Sequence, residues 1–101
     1  MALYKWTAIM AIRYVISSED MKFKLFNRAI LTKDFPQYGL KHGDMGVVVE
    51  HIARSTEEDG YIVEFFDAQG QTVDVVPFLE SDLELPRPNT ILTYRELDRV
   101  A

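Results

Sequence analysis

Two histidines, His42 and His51, are the side chains best suited to move a proton near neutral pH, and the chain has no cysteine to supply a thiolate. A nucleophilic triad would need a serine carried to one of them by the fold, and no nucleophile-elbow spacing is present. His42 and Asp44 stand two residues apart in a turn, far short of a closed metal coordination sphere. The glycines around them, in YGLKHGDMG from Tyr38 to Gly46, precede no lysine-serine or lysine-threonine pair of the kind that opens a phosphate-binding helix. The expectation is therefore a protein that is not an enzyme, with no catalytic, metal or cofactor residues.

Charge offers more. The 101 residues carry a net charge of −5, unevenly placed. Lys22, Lys24, Arg28, Lys33, Lys41 and Arg54 make the middle of the chain mildly basic, opposed there by Asp34, Asp44 and Glu50. From Ser55 to Leu85 come Glu57, Glu58, Asp59, Glu64, Asp67, Asp74, Glu80, Asp82 and Glu84, with no lysine or arginine among them. A solvated, solubilising surface is the plain reading of such a run. The sharper reading is a docking face for a basic partner, with Glu57, Glu58, Asp59, Glu64, Asp67 and Asp74 as its contact residues.

The elements that would position these residues start at the glycine-rich turn. Its glycines and aspartate suit a tight backbone path, and Val47, Val48 and Val49 behind it read as a strand. Phe23 to Thr32 reads as a first strand and Gly46 to Ile52 as a second, whose inward face stays open, because Glu50 and His51 fall on opposite faces and a bulge would shift the register. The run YIVEFF, Tyr61 to Phe66, alternates as a third strand, and DAQG, Asp67 to Gly70, is a hairpin connection. Gln71 to Val76 returns as the fourth strand, ended by Pro77. Phe78 to Asp82 suggests one helical turn and Leu83 to Leu85 a short fifth strand. The fold class is all-β, a small five-stranded barrel over residues 21–85, with Leu25, Ile30, Tyr61, Val63, Phe65, Val73 and Val75 in its core.

Two flanks remain. Residues 1–20 are apolar on a period of two, with Trp6 and Tyr14 on one face, while helical spacing also fits Leu3, Trp6, Met10 and Tyr14. Strand or helix stays open. Lys5 and Arg13 interrupt this segment, which is shorter than the roughly 20 apolar residues of a membrane span and lacks a signal-peptide pattern. No membrane association is expected. In the C-terminal tail, residues 86–101, Thr93 and Glu96 have capping-box spacing for a short helix over Thr93 to Val100. Ile91, Leu92, Tyr94 and Leu97 are candidate anchors, on this protein's own barrel or in a partner's groove.

The segments MKFKLFNRAILTKDFPQYGLKHGDMGVVVEHI, DGYIVEFFDAQGQTVDVV and ESDLEL, within Met21 to Leu85, resemble a family of small bacterial domains classed only as a domain of unknown function. The resemblance implies an SH3-like barrel. It also implies gene arrangements like toxin–antitoxin pairs, in which this chain is the antitoxin-like member, a protein-binding module in hetero-complex with a small co-encoded toxin; the acidic run points to a basic one, and the lack of cysteine fits a cytoplasmic setting. Residues 1–20 fall outside the family pattern: they are either an added strand, or Met21 is the natural start. The alternative is RNA or ribosome association, because the glycine-aspartate turn before a valine strand also resembles the KOW motif. Against direct nucleic-acid binding, residues 21–85 hold six basic and twelve acidic side chains, a balance of −6.

Overall fold

In a computed structural model of the chain, which describes residues 21–97, five strands form one curled antiparallel sheet. They are β1 (Arg28–Leu31), β2 (Met45–Ile52), β3 (Gly60–Phe66), β4 (Thr72–Leu79) and β5 (Leu83–Glu84), in the order β4-β3-β2-β1-β5. This is a half-barrel of the small, all-β, SH3-like kind. Short 3-10 turns at Pro36–Tyr38 and Glu80–Asp82 complete it. Among the described residues no helix is long and apolar enough to cross a membrane.

The inner face follows from alternation. Val48, Tyr61, Val63, Phe65, Val76 and Phe78 point into one cluster with Phe23, Ala29, Leu31, Leu40 and Leu83. Aromatic edges knit it together, with ring centroids 5.2 Å apart for Phe23 and Tyr61, 4.8 Å for Phe35 and Phe78, and 5.9 Å for Phe65 and Phe78, all near perpendicular.

The turn from Tyr38 to Gly46 is built as its composition suggests. Gly39 closes the 3-10 turn at φ 71°, and Gly43 takes φ 94°. The Gly43 amide donates to the Leu31 carbonyl, while the Leu31 amide donates to the Asp44 carbonyl. The turn is thereby fastened to β1. Gly46 then enters β2 opposite Ala29, where it leaves no room for a side chain against β3.

The open register of β2 is decided by a bulge between Val48 and Glu50, which brings His51 onto the buried face. Other expectations are corrected. The first strand is shorter than Phe23 to Thr32, because Phe26 adopts φ 67° and breaks the ladder ahead of Arg28. Ala29 and Leu31, rather than Ile30, face the core, and Leu25 packs against its margin. In the fourth strand a second irregularity, beside the Phe65–Asp74 and Phe66–Thr72 pairs, shifts the phase. Val76 and Phe78 are therefore buried, Val73 is partly buried and Val75 is exposed.

Pro77 does not end this strand, and Phe78 and Leu79 belong to it rather than to the helical turn, which starts at Glu80. β4 is the last strand in the sheet order, so a residue without an amide hydrogen forfeits no ladder bond when that position faces the open edge.

Candidate partner-binding surface

The carboxylates of the acidic stretch have local work. At the β2–β3 connection, Glu57 pairs with the Arg54 guanidinium. The Glu58 carboxylate accepts from the Ser81 amide at 2.7 Å and the Ser81 hydroxyl at 3.1 Å. Asp59 Oδ2 lies 2.8 Å from His51 Nε2, and its Oδ1 accepts from the Arg54 amide at 3.3 Å. A carboxylate only accepts here, so Nε2 carries the hydrogen. His51 is 1% exposed and clamps β2 to the loop. His42 is exposed in the turn, its amide donating to Asp34.

At the other end of β3, Asp67 Oδ1 accepts from the amides of Gln69 and Gln71, both at 2.9 Å, and so shapes the β3–β4 hairpin. Glu64 accepts from the Thr72 hydroxyl, and Asp74 from the Val75 amide. The candidate acidic residues thus form two groups, Glu57 to Asp59 and Glu64 with Asp67 and Asp74. The length of β3, about 20 Å, separates their outer members.

Near the first group, burial of Tyr61 pushes its phenol up to about 12, reinforced by the negative charges of Glu80 and Asp59 and opposed by a hydrogen bond involving the Phe23 backbone.

The tail departs from expectation. Over residues 91–97 it is neither helix nor strand. A helix of this length is marginal in water without an apolar face to pack, and here Ile91 and Tyr94 are each 90% exposed. The remainder of the expected helix lies outside the described residues, as do Trp6, Tyr14 and the whole segment 1–20. Among the described residues, the polar tie between tail and barrel is Arg95, whose Nη2 donates to the Asp44 carboxylate and, at 3.2 Å, to the Gly39 carbonyl. Beside this contact is a cavity of about 350 Å³. Leu40, Met45, Phe65 and Val73 line it from the barrel, and Leu92 and Leu97 from the tail. Sequence reading selected Leu92 and Leu97 but missed Asp44 and Arg95 as a pair. They are 51 residues apart, and no local pattern connects them.

Residues 25–85 match the family described as Domain of unknown function (DUF4926). No curated protein and no solved structure matches the chain significantly.

Proposed function

The chain belongs to the DUF4926 family of domains of unknown function, and from that premise we propose that it is a non-enzymatic protein-binding module. The observation that carries this reading is the tail, where Ile91, Leu92 and Tyr94 stand in water beside an apolar cavity on an otherwise well-packed barrel. Apolar side chains grouped in this way mark interaction sites more often than scattered single ones do. The partner is a small basic protein, of the kind the antitoxin-like resemblance implies, and the two form a hetero-complex in the cytoplasm. Its charge is met by Glu57, Glu58, Asp59, Glu64, Asp67 and Asp74, and its apolar surface by the tail.

In this scheme the carboxylates act mainly on encounter and the apolar anchors on residence time. The test is co-purification of the natively expressed chain, with the recovered protein identified by mass spectrometry and the complex sized by light scattering. A stoichiometric protein complex whose association slows as salt rises past physiological strength supports the reading. Salt-dependent retention on RNA, with no stoichiometric protein recovered, overturns it in favour of the KOW-like alternative.

A further inference from the structure

The tail shows what kind of segment its own groove accepts. Arg95 places one guanidinium nitrogen between the Asp44 carboxylate and the Gly39 carbonyl, and Leu92 and Leu97, three residues before it and two after, border the apolar cavity. Among the described residues, the side-chain hydrogen bonds from residues 91–97 to the barrel all come from Arg95. Both sides of that ion pair keep water contact, with side chains 32% and 23% exposed. Asp67 stands at the same cavity as a second negative charge. The receiving surface is therefore apolar with an acidic rim, and its cation is supplied by a segment that is otherwise largely exposed. Such a contact is weak enough to exchange.

The geometry points to a displaceable tail: residues 91–97 are an internal stand-in for a partner segment in which an arginine flanked by leucine-like side chains takes Asp44 and the Gly39 carbonyl. The occupant is a basic, apolar peptide stretch of the partner protein. Its arginine replaces Arg95, and its apolar side chains pack against Leu40, Met45 and Phe65. Arginine suits the site because its guanidinium is always charged and Nη2 carries two hydrogens, one for the carboxylate and one for the carbonyl. The tethered tail competes at the high effective concentration of a short linker, so it sets a threshold that weak basic peptides do not pass. This inference rests on the protein-binding reading and adds to it the place and chemistry of contact.

The probe is a fluorescein-labelled peptide with the sequence of residues 90–97, TILTYREL, titrated with the full chain and followed by fluorescence anisotropy. Arg95→Ala in the chain removes the internal competitor's hold, and the peptide is expected to bind this variant about two- to fivefold more tightly than the unmodified chain. Adding Asp44→Asn should abolish the gain, since the amide still accepts the 2.8 Å bond from the Lys41 amide but no longer attracts the cation. A peptide with alanine in place of its arginine should show no gain either. Equal binding by the Arg95→Ala and unmodified chains, or binding indifferent to Asp44→Asn, overturns the proposal. So does loss of the folded circular dichroism spectrum in both Arg95→Ala and Arg95→Gln, because the tail would then be an integral part of the barrel. If the peptide fails while the co-purified partner still forms its stoichiometric complex, the groove is the wrong place and the protein-binding reading stands.

Discussion

Gly43 and Gly46 lie in one turn but are needed for different reasons, and alanine at each should separate them. At Gly46 an added Cβ would lie 2.4 Å from Val63 Cγ1, 2.9 Å from the Glu64 carbonyl oxygen and 3.1 Å from Phe65 Cδ1. Val63 is fully buried, and the carbonyl is backbone of the neighbouring strand, so neither of the two closest groups can swing aside. The strands must separate, which costs about 1–3 kcal/mol as overpacking, and the contact with backbone argues for the upper end. Reduced freedom of the unfolded chain returns about 0.4–1 kcal/mol. A net loss of about 2 kcal/mol is expected for Gly46→Ala, or roughly 8–16 °C in melting temperature for a domain of this size. At Gly43 nothing lies within 4 Å of the added carbon, so the loss is purely conformational at φ 94°, about 1 kcal/mol. Urea unfolding followed by circular dichroism, with thermal melts alongside, measures both. If Gly46→Ala is as stable as the parent, or no worse than Gly43→Ala, the close approach of β2 to β3 is wrong.

Phe65→Ala removes a core ring in contact with Phe78 and should cost about 3–5 kcal/mol; urea unfolding within 1 kcal/mol of the parent would place Phe65 outside the core. Val75→Thr should change stability by less than about 0.5 kcal/mol, whereas Val76→Ala should cost about 2 kcal/mol, and the reverse order would mean the fourth strand carries no phase shift. The raised Tyr61 phenol gives a pH dependence: below pH 10 both folded and unfolded chains hold the proton and its contribution is constant. From about 10 to about 12 only the folded chain holds it, so stability falls as pH rises, by about 1.4 kcal/mol per unit. Urea unfolding across that range should show the slope in the parent and lose it in Tyr61→Phe. A slope unchanged by that substitution assigns it to other groups.

Much of the barrel was legible because its signals are local. The alternation of Tyr61, Val63 and Phe65, the Asp67–Gly70 hairpin and the glycines of the Tyr38–Gly46 turn each express a preference decided within a few residues, by period-two burial or by backbone geometry. The register of β2 stayed open in the sequence, since Glu50 and His51 fall on opposite faces, and the bulge between Val48 and Glu50 decides it. The fourth strand misled because its own residues read equally well in either phase. Whether Val75 or Val76 turns inward is decided by the partner strand, through the slip beside Phe66. Pro77 misled for a related reason, since its effect depends on whether an edge or an interior strand holds it, and that is a property of the sheet.

The candidate surface divides in the same way. The sequence by itself determined an acidic run and an apolar tail, because charge and hydropathy are carried by each residue separately. Only the tertiary structure decided that Asp59 is taken up by buried His51, that Glu58 holds Ser81 across 23 residues, and that Arg95 of the tail reaches Asp44. A charged side chain's partner is set by which segments the curled sheet brings within about 3 Å, and at such sequence separations neither spacing nor composition holds that information.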